Sequence, residues 1–348
     1  MNRLARWQPL RVGIIAAVAL GLLVGASPAL AKTKVTGTGA SAPAILYQQW
    51  AHHYGTATVS YLSANSGTGI SQIENKTVNF GASDKPLTPA DLNSNSLVQF
   101  PSCIEGVVPI VNIHGVASGR LKLTGPVLSL IFRGKITKWS DSRITSLNKG
   151  LKLSGAITVV HRSDSSGTTW IFTHYLKSVD SAWPFADMSG RWPTGVGMPK
   201  SSGVANEVKA KTGAIGYVEI SWALTAHIPY VQLKNRSGKW VLPSEGTFAA
   251  AGSHASYTWS NGYATSLVNM TGATVWPITG ETYILVQRKQ ASYAIGHAML
   301  SFFNWTTASS RGVSDAKSLD FVPLPKAAAT AIHKTWHSLV KAGSKPCW

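Results

Sequence analysis

The residues best placed to do chemistry lie in four short segments. Gly37-Thr-Gly-Ala-Ser41-Ala42-Pro43 runs into Ala44-Ile-Leu-Tyr47. Ser63-Ala-Asn-Ser66-Gly-Thr-Gly runs into Ile70-Ser-Gln-Ile73. Arg162-Ser-Asp164-Ser-Ser166-Gly167-Thr168 runs into Thr169-Trp-Ile171. In each, small polar residues precede a helical pattern. Such residues cap helices because their side-chain oxygens accept from free N–H groups of the first turn. Ser41 is read as a cap of this kind, with Pro43 in the first turn. The free N–H groups and the helix dipole together favour an anion at a helix N-terminus. Three such termini aimed at one point would hold a dehydrated oxyanion. Arg162 would add a fork of charged donors, oriented by Asp164. Taken singly, each segment is also what an ordinary helix cap looks like, so the set carries the reading.

The fourth segment, Val78-Asn79-Phe-Gly-Ala-Ser-Asp84, places a carboxylate at the end of a short strand. An ionised aspartate only accepts hydrogen bonds. Phosphate carries a proton at ordinary pH and sulfate does not, so Asp84 would accept from one and face a bare oxygen of the other. A buried polar contact left unpaired supports discrimination of about 10⁴ or more. Asp84 is therefore expected to exclude sulfate. Arsenate, with the same shape and protonation, would fit the same site.

These segments need elements to position them. Short β-branched runs alternate with longer helical patterns. Strands are expected over 56–62, 77–82, 104–113, 156–160, 214–218 and 282–287, and helices over 69–76, 125–132 and 169–176. This alternation predicts an α/β fold with largely parallel sheets. The stretch from about 109 to 277 has its own strands and helices, so the first and last stretches must pack together. The chain would then cross between two lobes near 104–108 and 276–282, leaving a cleft where ligands prefer to bind.

The start of the chain sets its expected compartment. Arg3, Arg6 and Arg11 precede an apolar run over 12–24, followed by Ala29-Leu-Ala31. That is a basic region, an apolar region and an A-x-A cleavage site, with a run shorter than the ~20 residues of a bilayer span. Cleavage near Ala31 is expected, with no cysteine there to take a lipid, giving a soluble periplasmic or secreted chain from Lys32. Outside the cytoplasm, Cys103 and Cys347 could form a disulfide or stay as two thiols; spacing does not decide between them.

The 348 residues carry a formal charge of +18, or +15 without the three leading arginines. A positive field attracts anions and also serves solubility. The basic residues are scattered singly, with no run of five or six and no zinc-finger, RRM or basic-zipper signature, so nucleic acid is not expected as a partner. Gly37-Thr-Gly39-Ala-Ser-Ala42 partly imitates a dinucleotide fingerprint but lacks an acidic residue about 20 positions on. There is no P-loop, no H-E-x-x-H and no Cys/His ligand spacing, so neither a metal nor a cofactor is expected. His52-His53 is read as an exposed helix face. Ser166 as a nucleophile has no recognisable base partner, so no catalytic residue is assigned.

In family order, the stretches GTGASAPAILYQQW, SANSGTGISQI, VNFGASDKPLT, VVHRSDSSGTTWIFTHYL and GAIGYVE resemble the periplasmic phosphate-binding proteins that serve ABC phosphate importers. FRGKITKWSD and WPITGETYIL support the match, which spans nearly the whole chain after Ala31. The resemblance implies an α/β, two-lobed periplasmic-binding-protein fold, with mixed sheets flanked by helices and a ligand cleft between lobes. The lobes would be 32–107 plus 280–348, and 108–279, after a signal peptide over 1–31. It implies inorganic phosphate as ligand, membrane permease subunits as partners, and a monomer. By motif, the phosphate contacts would be Ser41, Ala42, Ser66, Asp84, Arg162, Ser166, Gly167 and Thr168, with Asp164 holding Arg162. Ser41-Ala42 stands where the family often has Thr-Phe, which keeps the hydroxyl and loses an aromatic at the cleft edge. Asn79 stands where Asp is common and is not expected to touch ligand. His161 precedes the arginine and is read as solvent-facing. Two other functions remain open: a phosphatase-like enzyme using the same pocket, and a polyanion-binding or adhesion protein using the basic surface.

Overall fold

The computed structural model describes residues 32–189 and 191–348; the expected signal segment and its cleavage point lie outside the described residues. The strands that frame the site are Lys34–Gly39 (β1), Thr58–Ser63 (β2), Phe80–Ser83 (β3), Leu97–Val111 (β4), Thr158–Arg162 (β5), Val196–Met198 (β6), Ala214–Glu219 (β7) and Thr279–Gln287 (β8). They lie side by side in the order β2-β1-β3-β8-β4-β7-β5-β6, with the short strand Val322–Pro323 beside β4. Four helices bear on the site: Ala44–His53 (α1), Ser66–Glu74 (α2), Gly167–Val179 (α3) and Lys200–Ala210 (α4).

The expected parallel pairing holds only at the two flanks. β1 runs parallel to β2 and β3, and β5 runs parallel to β6 and β7. The middle is antiparallel, because β8 pairs in that sense with β3 and β4, and β4 with β7. The reason is topological. Parallel neighbours need a crossover, which α1 and α2 supply at one flank. β4 and β8 instead lie against each other directly, running in opposite directions. Every residue of both is buried, as expected of strands covered on both faces.

Buried apolar side chains form two large clusters. One gathers Val35, Leu46, Trp50, Phe80, Phe100, Phe303 and Trp336. The other gathers Val108, Leu128, Trp139, Phe172, Val204, Tyr217 and Trp276. Cys103 and Cys347 both sit in the first cluster as buried free thiols, so of the two outcomes left open the thiols are the one found.

The helix starts differ from expectation in ways that matter for the site. α2 begins at Ser66, three residues early, because Asn65 accepts from the Thr68 N–H at 2.9 Å and caps it. α3 begins at Gly167, with Ser166 accepting from the Thr169 N–H at 3.1 Å. α1 begins at Ala44 with Pro43 at the cap position and no side-chain cap bond, so Ser41 is not its cap. Freed from capping, Ser41 points elsewhere. α2 also lies unusually close to the sheet. A Cβ on Gly69 would come within 2.5 Å of the Ala82 carbonyl and 2.7 Å of the Gly39 Cα. Only glycine allows that approach.

Two histidine readings need correction. His161 is buried, not solvent-facing. Its ring stacks on Trp192 with centroids 5.0 Å apart, and its Nδ1 bonds the Arg162 carbonyl at 3.0 Å. An imidazole amphipathic enough to stack on an indole finds shelter there, and burial lowers its pKa. His52 is exposed as expected, but His53 is half-buried and meets the Asp315 carboxylate at 2.8 Å. Among the described residues, no helix is long and apolar enough to cross a membrane.

Candidate functional site

The predicted site residues converge. Ser41 follows β1, Ser66 opens α2 and Asp84 follows β3, all on the side of the first cluster. Arg162 closes β5, and Ser166, Gly167 and Thr168 open α3, on the side of the second. Ser41, Ala42, Ser66, Asp84, Arg162, Ser166 and Thr168 are each no more than 2% exposed. Direct hydrogen bonds tie the two groups together. The Gly167 N–H donates to Ser66 Oγ at 3.0 Å, and the Ser201 N–H donates to Ser41 Oγ at 3.1 Å.

Arg162 is a buried cation held by one partner. Its Nε and Nη2 donate to the two oxygens of Asp164 at 2.7 Å each, as the sequence led us to expect. Burial works against this charge, but the bidentate Asp164 outweighs it and holds the guanidinium up. Asp164 in turn accepts from the Lys200 N–H at the start of α4, at 3.3 Å to each oxygen. The remaining Arg162 nitrogen, Nη1, faces Ser201 Oγ at 3.3 Å and Thr168 Oγ1 at 3.5 Å.

The hydroxyls around this cation have little choice of direction. Ser66 Oγ accepts from two backbone N–H groups, Gly167 at 3.0 Å and Asp84 at 3.3 Å. Both its lone pairs are engaged, so its hydrogen is left to donate. Ser41 and Ser201 share one hydrogen bond at 3.1 Å between their oxygens. Whichever way that hydrogen runs, one hydroxyl hydrogen of the pair remains to donate. Thr168 is different: its hydroxyl donates to Glu219 Oε1 at 2.5 Å, so that hydrogen is already spent. Ser166 spends its oxygen on capping α3. No described histidine bonds the Ser166 hydroxyl, and the nearby His161 ring is turned onto Trp192, which is no arrangement for a nucleophile and its base.

Asp84 does not stand alone. Its Oδ1 accepts from the Thr282 hydroxyl at 2.8 Å, and that hydroxyl also lies 3.4 Å from Glu105 Oε1. Asp84, Glu105 and Glu219 each place a carboxylate oxygen within 4.8 Å of the others, all buried. Burial first, and then the Glu219 charge, push the Asp84 carboxyl up, while Thr282 and Arg162 pull it back. Burial together with Asp84 and Glu219 pushes the Glu105 carboxyl well above its ordinary range.

Four of these residues escaped the reading of the sequence. Ser201 sits in Pro199-Lys-Ser-Ser-Gly, which opens α4 with small polar residues much as the other three helices are approached. Glu219 closes the GAIGYVE stretch. Glu105 and Thr282 interrupt apolar strands, where a polar residue buried without need is itself a signal. Asn79 Oδ1 accepts from the Thr36 N–H at 2.8 Å.

Comparison with known proteins bears on this geometry. The profile of the PBP superfamily domain matches residues 25–310. The phosphate-binding protein PstS of Xylella fastidiosa (strain 9a5c) is 42% identical over 315 residues, covering 88% of this chain and 86% of that protein. The PstS of Haemophilus influenzae is 40% identical over 327 residues, covering 92% and 97%. Among solved structures, a high affinity periplasmic phosphate-binding protein (PfluDING) bound with phosphate superimposes with a TM-score of 0.73 at 22% identity, covering 89% of this chain and 96% of that one. That last likeness speaks for the fold. By the matched profile and by relatives this similar over nearly their whole length, the chain belongs to the phosphate-binding proteins PstS of the PBP superfamily.

Proposed function

We propose that this protein captures inorganic phosphate outside the cytoplasm and delivers it to an ABC import transporter. One observation carries the reading most: a buried guanidinium whose Nη1 meets only hydroxyl oxygens, at 3.3 and 3.5 Å, lies beside hydroxyls with a hydrogen left to donate and within electrostatic reach of a buried aspartate. That is a set of donors with Asp84 as the acceptor that would meet the ligand. A partly protonated tetrahedral oxyanion matches it, and a fully ionised one leaves the acceptor unpaired. The relatives named for phosphate binding agree with this match.

In this reading the ligand contacts are Ser41, Ala42, Ser66, Asp84, Arg162, Ser166, Gly167 and Thr168. Asp164 positions Arg162. The chain works as a monomer of two lobes, 32–107 plus 280–348 and 108–279, each built on one of the two apolar clusters. β4 and β8 join the lobes, and small rotations there close them on phosphate. The closed form is what the permease subunits in the membrane recognise. The leader is removed near Ala31, leaving the binding protein soluble in the periplasm. Binding occurs without turnover in this reading; among the described residues no histidine bonds the Ser166 hydroxyl, whose oxygen caps α3.

Replacing the guanidinium tests this directly. Arg162→Ala should weaken phosphate at least ~100-fold in calorimetry, as expected when a buried charged donor is lost, while far-UV circular dichroism stays native. Unchanged affinity would remove Arg162 from the site. Hydrolysis of a chromogenic phosphate ester by the wild type, abolished in Ser166→Ala, would replace binding by catalysis.

A further inference from the structure

Three carboxyl groups sit beneath a site read here as an anion site, and that is an electrostatic contradiction unless something neutralises them. Asp84 follows β3, Glu105 lies within β4 and Glu219 closes β7. The register makes the meeting unavoidable: Val107 of β4 lies opposite Glu219, and Glu105 lies opposite Gly280 of β8. All three side chains are buried, with oxygens within 4.8 Å of one another. Two of the six oxygens, Glu105 Oε2 and Glu219 Oε2, are buried with no hydrogen-bond partner. The cation at hand, Arg162, already gives two of its nitrogens to Asp164. Like charges at this separation cannot all ionise in a medium of low dielectric, and a bound anion would add to the repulsion.

The roles within the cluster are distinguishable. Glu219 accepts from the Thr168 hydroxyl at 2.5 Å and lies near Arg162, so it has partners for a negative charge. Asp84 accepts from Thr282 and also feels Arg162. Glu105 has the poorest partners for a charge: the shared Thr282 hydroxyl at 3.4 Å, and nothing on Oε2. The other groups that face it are the two carboxylates themselves, Cys103 on its own strand and Tyr61 on β2. None of them is a cation. Arg162 acts on Asp84 and Glu219 instead.

We propose that Glu105 is a positioning residue for phosphate, held as the neutral acid so that Asp84 beside it remains the acceptor for the ligand's proton. Protonated, Glu105 offers an O–H to its neighbours and takes one negative charge out of the cluster. Ionised, it places a second charge beside Asp84 and repels the incoming anion. The inference rests on the phosphate reading of the site. It makes Glu105 a source of pH dependence that phosphate's own titration does not explain, and it assigns the chain an alkaline limit of binding.

The test compares the wild type with Glu105→Gln, whose amide keeps a hydrogen-bond donor and cannot ionise. Phosphate affinity is measured by calorimetry for both proteins from about pH 6 to about pH 9, and phosphate's own titration cancels in the ratio of the two. At about pH 6 the variant should bind within roughly threefold of the wild type. By about pH 9 it should bind at least ~10-fold more tightly than the wild type, since only the wild type can acquire the second charge. A ratio that stays flat across the range overturns the proposal. Phosphate binding by neither protein overturns the reading of the site and this inference with it. If the variant does not fold, the wild type still answers. With ¹³C-labelled glutamate carboxyls, a second resonance besides that of the buried Glu281 should titrate above the ordinary range and persist in Glu281→Gln. Its absence would place an ordinary carboxylate at position 105.

Discussion

At the scale of single residues, the site is defined by which hydrogen-bonding capacities are already used. Gly167 shows how tightly. A Cβ there would come within 2.5 Å of Ser66 Oγ, 2.7 Å of the Asp84 Cβ and 2.8 Å of the Asp84 N. The Gly167 N–H to Ser66 bond, which joins the two sides of the site, requires that nothing be there. Gly167→Ala should therefore lower phosphate affinity by about 10-fold or more, with the melting temperature of the ligand-free protein nearly unchanged, because the clash is felt where the two sides meet. Equal affinity in the alanine variant would mean that this approach is not part of binding. The residues legible in the sequence at this scale were those whose neighbours in the chain explain them. Arg162 and Asp164 are two positions apart and do pair. Glu105, Glu219, Thr282 and Ser201 were not legible as site members. Their partners lie across 177, 51, 198 and 160 positions, and only strand register and helix packing bring those together.

At the scale of elements, helix starts decide where donors point. Asn65 rather than a serine caps α2, which places Ser66 in the first turn with its hydroxyl turned toward α3. Asn65→Ala should cost about 1 kcal/mol of stability by denaturant titration. It should weaken phosphate as well if the cap aims Ser66. The pattern of small polar residues before each helix was readable, but which of them caps was not, since serine and asparagine serve equally well. The parallel expectation failed in the middle of the sheet for a related reason: alternation of strands and helices suggests crossovers and says nothing about two long strands that meet directly.

β8 also carries Glu281, buried, with Oε2 accepting from the Tyr283 hydroxyl at 2.7 Å and Oε1 unpartnered. Burial pushes its carboxyl up to about 8, against the pull of the Tyr283 and Tyr257 hydroxyls. The folded chain therefore keeps this proton where the unfolded chain releases it. Between the ordinary glutamate range and about 8, the unfolded state binds fewer protons, so stability falls as pH rises through that window and levels off above it. Glu281→Gln should remove this loss. Its melting temperature relative to the wild type should rise by about 4 °C or more between about pH 5 and about pH 8. A constant difference would mean that Glu281 is ionised at neutral pH.

At the scale of the whole molecule, two apolar clusters share one continuous run of strands, and the polar residues collected between them are the ones proposed to hold phosphate. The proposed division into a middle stretch and two outer stretches rests on the middle having its own set of strands and helices. If phosphate closes the two proposed lobes, small-angle scattering should show a smaller radius of gyration with phosphate than without. Phosphate at 100 times its dissociation constant should also stabilise the fold by about 2.7 kcal/mol, or roughly 4 °C in melting temperature. The excess of positive charge would add to the rate of capture more than to its strength, so raising salt should slow association with little change in the dissociation rate.

The most direct test of the account is a calorimetric titration of residues 32–348, stripped of bound anion, with phosphate and then with sulfate. The account predicts saturable one-to-one phosphate binding and no sulfate heat, because Asp84 pairs only with an anion that brings a proton. Sulfate binding comparable to phosphate, or no phosphate binding once ligand removal is verified, would contradict it.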